Sequence, residues 1–180
     1  MHYSIYYFAV DSETISQRLK QQAEEIASEV VERMKAHPDF SPQREKVCHD
    51  LAKNICLGHL GTDEPHEEIN ILCWICEIVG EKIDMPPFNL FNRLAYLDDV
   101  GIWPLFQSDT PPFPVPICEE GLPEVSYMNH TSIKQHVESE FGQLREANNP
   151  GAEDARDELL GILESLAEDN LDLLAIFVEN

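Results

Sequence analysis

The sequence has few basic residues. Of its 180 residues only 12 are Lys or Arg, against 34 Asp or Glu, so the formal net charge is −22. Binding to nucleic acids or to anionic membranes requires clustered Lys and Arg, and we therefore expect neither as a partner. The acidic excess predicts a soluble surface and, more specifically, one that attracts a basic protein partner, as in immunity-like or regulatory proteins.

Long apolar runs are also missing. No stretch reaches the roughly 20 apolar residues that cross a bilayer, and the first residues lack the basic and apolar segments of a secretion signal. We therefore expect a cytoplasmic protein whose cysteines remain free thiols. The five cysteines are Cys48, Cys56, Cys73, Cys76 and Cys118. The length fits a single domain, residues 1–180.

The motifs of common enzymes are absent as well. The sequence contains no Gly-rich phosphate loop, no Gly-x-Ser-x-Gly motif and no calcium loop. His130 and His136 flank the predicted start of a helix, but no nucleophile motif accompanies them. We predict no catalytic residue and no cofactor, and this favours a non-enzymatic protein.

One apolar stretch stands out. Residues 69–79 read INILCWICEIV. At about 100° per residue, their apolar side chains cover every direction of a helix except a narrow strip shared by Asn70 and Glu77. A helix that is apolar nearly all round lies in a core, so we predict a buried central helix over 65–82. Glu77 is then either a solvated residue of the strip or an acid with a perturbed pKa in a cleft.

The remaining pattern predicts an α+β fold. Apolar alternation and helical periodicity predict strands at 3–10, 124–129 and 171–178, and helices at 13–35, 41–57, 89–100, 131–145 and 152–168. We expect a small sheet of about three strands, including the first and last segments, packed by about six helices around the central helix. Thr131 and Ser132 are the predicted cap of their helix. The proline-rich stretch 101–123 is predicted to be extended and held to the surface by its aromatic residues.

Two pairs of metal-ligating residues support a second hypothesis. Cys56-x2-His59 precedes Cys73-x2-Cys76 at a separation comparable to that in zinc sites. A metal-binding or hydrolytic protein would use these four residues. The alternative is that the thiols are buried and pack as small apolar groups. The core-like neighbours Trp74 and Ile75 favour the buried thiols.

Several short motifs resemble those of a known family. They are Ala9-Val10-Asp11 before a helix, Cys76-Glu77 and Gly80-Glu81 on the central helix, and Pro114-Val115-Pro116 ahead of Tyr127-Met128. In this order the chain resembles the YfbM-like group of small bacterial proteins of unknown function, and especially a sister family within it. The resemblance implies an α+β fold in which the first and last strands are neighbours. It implies no activity.

Overall fold

A computed structural model describes residues 3–38, 40–61, 65–83, 109–116, 125–139 and 150–179. The elements are β1 (Tyr3–Val10), α1 (Ser12–Gln21), α2 (Ala23–Lys35), a 3-10 turn (Pro42–Arg44), α3 (Glu45–Leu57), α4 (Pro65–Val79), β2 (Glu81–Ile83), β3 (Val125–Met128), α5 (His130–Ser139), α6 (Pro150–Asp169) and β4 (Asp172–Glu179). Within these ranges there are six α-helices and one four-stranded sheet, so the predicted α+β class is confirmed. The helix predicted at 89–100 lies outside the described residues.

The two ends of the chain form the centre of the sheet. Its strand order is β2-β1-β4-β3, and every neighbouring pair is antiparallel. β1 and β4 pair from Tyr3 opposite Glu179 to Val10 opposite Asp172. The first and last strands are therefore neighbours, as the resemblance implied. The fourth strand, β2, was not predicted, because its charged residues read as the end of the central helix.

Each face of the sheet covers its own core. Leu174, Ile176 and Val178 of β4 face a core that α1 to α4 complete, which we call the first core. Leu173 and Ala175 face the opposite way, into a core that α5 and α6 complete. A strand buried on both faces has no polar alternation, and this explains why β4 reads as a nearly continuous apolar run.

The central helix lies in the first core, as predicted, and ends at Val79 instead of residue 82. Five of its apolar side chains are at most 2% exposed: Ile69, Ile71, Leu72, Ile75 and Cys76. Asn70 is exposed and Glu77 is half-buried, so the polar strip is confirmed. Glu68 is an exception to the predicted pattern. Its side chain is buried, and its carboxylate accepts a hydrogen bond from the backbone N–H of Gly61 at 3.2 Å.

Two arginines from other helices cap the end of α4. The guanidinium of Arg18 donates to the carbonyls of Ile78 and Val79 at 3.3 and 3.4 Å, and Arg33 donates to the carbonyl of Glu77 at 3.4 Å. The last turn of α4 has no basic residue of its own. The arginines satisfy carbonyls that have no partner within the helix, and they place positive charge at its negative end.

The predicted single helix over 13–35 is wrong, because the chain breaks at Gln22. This residue has φ −112° and ψ 20°, and its backbone N–H donates to the carbonyl of Arg18 at 2.9 Å. The break separates α1 from α2. The apolar periodicity continues across it, since Leu19 and Ala23 are both buried in the same core, and so the pattern did not reveal it.

The described part of the proline-rich stretch, 109–116, is held to the surface as predicted. Phe113 is buried in the first core, and the hydroxyl of Ser16 donates to the carbonyl of Pro112. Gly58, at the end of α3, has φ +79° and lies against the ring of Pro114. The other aromatic residues of the stretch, Trp103 and Phe106, lie outside the described residues.

We expect Gly80→Ala to lower the free energy of unfolding by about 2 kcal/mol through overpacking. A Cβ at this position would lie 3.0 Å from the carbonyl oxygen of Ala9 and 3.1 Å from that of Cys76, which are backbone atoms that cannot rotate away. Gly161→Ala is the matched control, because its Cβ meets nothing within 4 Å. Ala has the higher helix propensity, so this change should stabilise the protein by about 0.5 kcal/mol. Chemical denaturation of both variants measures the two changes in the free energy of unfolding. Changes of the same sign would contradict the close approach of backbone atoms at Gly80.

Candidate functional site

The polar strip of α4 opens into a cleft of about 430 Å³. We call it the α4 cleft. Its aromatic walls are Tyr6, His37, Phe40 and Trp74. The His37 and Trp74 rings meet edge to face, with centroids 5.9 Å apart and an interplanar angle of 80°. This is a favourable geometry for an aromatic pair, and it fixes the orientation of the indole at the cleft wall.

The charged groups of the α4 cleft form ion pairs. The ammonium of Lys82 lies 2.8 Å from a carboxylate oxygen of Glu77 and 4.9 Å from the centroid of the Tyr6 ring. Arg44 pairs with Glu67. Glu77, the predicted site residue, therefore lines a cleft, and its carboxylate is the ion-pair partner of Lys82.

The four residues of the metal hypothesis lie in two different environments. Cys56, Cys73 and Cys76 are buried in the first core. His59 follows the left-handed Gly58 at the end of α3, and it is exposed. The sequence spacing could not distinguish these environments, because the turn at Gly58 directs the chain away from the helix axis.

Burial disfavours the thiolate form that a metal requires. It raises the pKa of Cys56 to about 11 and that of Cys73 to about 12. Burial also raises the pKa of Cys76, and the neighbouring Cys73 and Cys56 add to that increase. Among the described residues, no three His, Cys, Asp or Glu side chains are placed to hold a metal ion. The four residues therefore do not fit a zinc site.

A second concave surface lies where α6 ends and α1 begins. It has a volume of about 360 Å³ and is lined by Asp11, Ser12, Glu13, His130, Asp169, Asn170 and Leu171. We call it the acidic cleft. Asp11, Glu13 and Asp169 are all exposed, and the lining contains no Lys or Arg among the described residues. Asn170 has φ 56°, so it turns the chain sharply between α6 and β4.

A buried carboxylate lies beneath the acidic cleft. Asp172 is 1% exposed, and its two oxygens accept hydrogen bonds from the hydroxyl of Tyr127 at 2.7 Å and from the backbone N–H of His130 at 2.6 Å. Nδ1 of His130 lies 2.9 Å from the same carboxylate, and the hydroxyl of Ser12 also bonds to it. We call these four residues the Asp172 network. It connects the starts of α1, α5 and β4 with β3.

At Asp172 the effect of hydrogen bonding on the pKa outweighs the effect of burial. Burial alone would raise the pKa of this carboxyl group, but the hydrogen bonds from Ser12, Tyr127 and His130 hold the pKa below its ordinary value. Burial and the bond to Asp172 raise the pKa of Tyr127, which therefore stays a hydrogen-bond donor. The carboxylate is thus ionised and fully partnered at neutral pH.

The His130–Asp172 pair resembles part of a catalytic triad, but the nucleophile is missing. In the described part of the chain no hydroxyl or thiol makes a hydrogen bond to Nε2 of His130, and the Ser12 hydroxyl bonds to the carboxylate. A triad requires the nucleophile to contact the other nitrogen of the imidazole. The pair instead orients the first turn of α5.

The prediction that Thr131 and Ser132 cap α5 is wrong. Asn129, and neither Thr131 nor Ser132, is the capping residue, since its side-chain oxygen accepts a hydrogen bond from the backbone N–H of Ser132 at 2.9 Å. Asn is as good a cap as Ser, and Asn129 lies one residue before the helix, which is the position that a capping residue occupies.

Comparison with known proteins gives a family and no activity. A model of a domain of unknown function, DUF7691, matches residues 1–178. The chain belongs to this family. No curated protein and no solved structure matches it. The comparisons provide no link between DUF7691 and the YfbM-like group, so that relation stays a prediction from the motifs. None of the described helices combines the length and the apolarity that crossing a bilayer requires.

Sequence reasoning missed Asp172 and Tyr127 as site residues of this DUF7691 chain. They are 45 residues apart, and the partners of Asp172 come from three other elements. One signal was present: Asp172 is an acid inside an apolar run, which is unusual in a strand buried on both faces.

Proposed function

We propose that the protein is an acidic protein-interaction module that binds a basic protein through the acidic cleft and catalyses no reaction. The observation that carries this proposal is the convergence of Asp11, Glu13 and Asp169 on one concave surface without a Lys or Arg in its described lining. Elsewhere on the described surface many acids are already paired, as Glu29 is with Arg33 and Glu24 with Lys53.

Three helix ends and one lysine modify the field in the acidic cleft. The helix α5 begins at His130 in the lining of the cleft, and the ammonium of Lys134 lies 2.7 Å from the side-chain oxygen of Asn170. The N-termini of α1 and α5 each contribute about half a positive charge, and the full negative charges of Asp11 and Glu13 outweigh them. The C-terminus of α6, a helix of 20 residues, contributes about half a negative charge beside Asp169.

The positive charges at the acidic cleft are those of Lys134 and the two helix N-termini. The three exposed carboxylates, the ionised Asp172 beneath them and the end of α6 outweigh these charges, so the net field attracts a cation.

The acidic cleft is preorganised. The Asp172 network fixes the starts of α1, α5 and β4, and these segments form its floor. Asn170 is held from the side by a hydrogen bond of 2.7 Å from the ammonium of Lys134. A surface that is ordered before binding loses less entropy when the partner arrives.

The shape and charge of the acidic cleft suit an arginine side chain. A guanidinium group presents five N–H donors in a plane and can bond to two carboxylates at once. A volume of about 360 Å³ admits one such side chain. We therefore propose a partner with a protruding Arg within a basic surface.

A cytoplasmic location belongs to the same proposal. It is supported by the four described cysteines, Cys48, Cys56, Cys73 and Cys76, which are all free and buried. Free thiols persist in a reducing compartment.

The test compares two triple variants in capture from a lysate of the native host. One is Asp11→Asn, Glu13→Gln and Asp169→Asn. The side chain of Asp11 caps α1 by accepting a hydrogen bond from the backbone N–H of Glu13 at 3.0 Å, and Asp11→Asn keeps an oxygen that can do the same. The control is Glu25→Gln, Asp50→Asn and Glu138→Gln, at exposed positions outside the acidic cleft. Each triple removes three negative charges.

We expect wild type and the control triple to capture the same basic protein at low salt and to lose it as salt is raised. The triple in the acidic cleft should bind it about tenfold more weakly, because each of the three lost rim charges costs about 0.5 kcal/mol. Equal weakening by both triples would show that only the net charge of the protein matters, and it would contradict binding at the acidic cleft. Capture that is insensitive to salt, or of an acidic protein, would contradict the proposal.

A further inference from the structure

We propose that the α4 cleft binds a small planar aromatic molecule that carries a carboxylate. This site shares no lining residue with the acidic cleft. It therefore constitutes a second binding function that stands independently of the first.

The walls of the α4 cleft select a flat ring. Trp74 and Phe40 are half-buried, so each presents part of its ring to the cleft while the rest packs on the core. Tyr6 and the thioether of Met34 extend the apolar surface. Aromatic rings stack favourably on such surfaces, and the His37 ring holds the Trp74 indole in position for it.

The size of the α4 cleft sets the size of the ligand. Pockets that bind small molecules have volumes of about 300–1,000 Å³. At about 430 Å³ the α4 cleft lies at the lower end of this range. It admits a one- or two-ring compound with a short polar group.

The polar groups of the α4 cleft select an acceptor on the ligand. The acids are already paired, Glu77 with Lys82 and Glu67 with Arg44. Within the described part of the chain, the carboxamide of Asn70 and the hydroxyl of Ser41 make no hydrogen bond, and Arg44 makes one with its side chain. All three side chains have a donor available, and the guanidinium of Arg44 has no acceptor, so a ligand with acceptor oxygens is favoured.

A carboxylate suits Arg44 best. Its side chain is 55% exposed, and its guanidinium retains N–H groups that can form two parallel bonds to a carboxylate. The net charge of −22 does not prevent this, because at physiological salt charges more than about 8 Å away are largely screened. At the α4 cleft the pairs Arg44–Glu67 and Lys82–Glu77 carry no net charge, so the ligand carboxylate is recognised by the directed N–H groups of Arg44 and not by a net positive field.

The probe is 2-naphthoate, and its neutral counterpart is 2-naphthamide. Titration calorimetry with the full chain should give saturable 1:1 binding of naphthoate with a Kd of about 1 mM or below, and at least about tenfold weaker binding of naphthamide. Trp74→Ala should weaken naphthoate binding about tenfold, because the stacking surface is lost. Arg44→Gln should weaken naphthoate binding about tenfold and so bring it to the level of naphthamide binding to wild type.

The control is Lys20→Gln, which removes the same charge at an exposed position on α1 outside the α4 cleft. It should leave both affinities unchanged, and thermal unfolding establishes that all variants are folded. The proposal is overturned if naphthoate shows no saturable binding up to about 10 mM. It is also overturned if naphthamide binds as tightly as naphthoate, or if Lys20→Gln weakens binding as much as Arg44→Gln.

Discussion

Replacing Asp172 with alanine should lower the free energy of unfolding by about 3–5 kcal/mol, the cost of removing one partner from a buried charged network. The change leaves the hydroxyl of Tyr127 and the backbone N–H of His130 without their acceptor in a buried region. Each unsatisfied buried donor costs about 1–3 kcal/mol. For a chain of this size the melting temperature should fall by about 10 °C.

Two further variants distinguish the loss of the hydrogen bonds in the Asp172 network from the loss of a negative charge. Asp172→Asn keeps one acceptor oxygen and should cost about half as much as Asp172→Ala. Glu168→Ala removes an exposed acid near the end of α6 and should change stability by no more than about 0.5 kcal/mol. A cost below about 1 kcal/mol for Asp172→Ala would show that the network does not hold the elements together.

The effect of Asp172 should depend on pH with a defined sign. Its pKa is lower in the folded protein than in the unfolded chain, where an Asp titrates near 3.9. The stability that it contributes is therefore present above about pH 3.9 and is lost as the pH falls through the folded pKa. The difference between wild type and Asp172→Ala should shrink over this acidic range, as denaturation at a series of pH values will measure.

Ile75→Ala should lower the free energy of unfolding by about 3 kcal/mol through loss of apolar contact and creation of a cavity. Ile75 is fully buried on α4, where the sheet and the other helices of the first core surround it. Asn70→Ala on the polar strip of the same helix is the matched control and should change stability by no more than about 0.5 kcal/mol. Similar losses at both positions in chemical denaturation would contradict the placement of α4 in the core.

The parts of the fold that could be predicted were those decided by local apolar pattern. The strand Tyr3–Val10 was placed with its exact bounds, and the central helix and β4 were recognised from their apolar runs. Most side chains of these segments whose burial the structure describes are buried, so the apolar residues in the sequence correspond to the core positions in the structure. The break at Gln22 and the edge strand at Glu81–Ile83 leave that pattern unchanged, and they could not be read from it.

The candidate sites depended on contacts between distant residues. Asn70 and Glu77 were predicted to share a strip, and both line the α4 cleft, but Arg44 and Lys82 come from other elements. Asp172 gains its partners from residues more than 40 positions earlier in the chain. Periodicity carries no information about such pairings. The buried cysteines were foreseen from their apolar neighbours, whereas the exposure of His59 follows from the turn at Gly58.

The central claim is that the acidic cleft recognises a guanidinium group on a basic partner. The most direct test is titration of the isotope-labelled protein with N-acetylarginine methylamide, followed by backbone NMR, with the neutral N-acetylcitrulline methylamide as control. We predict saturable shifts of the amides at 11–13, 130 and 169–171 with the arginine derivative and none with the citrulline derivative. Shifts that are equal for both compounds, or that spread evenly over the exposed acids of α2 and α3, would contradict the claim.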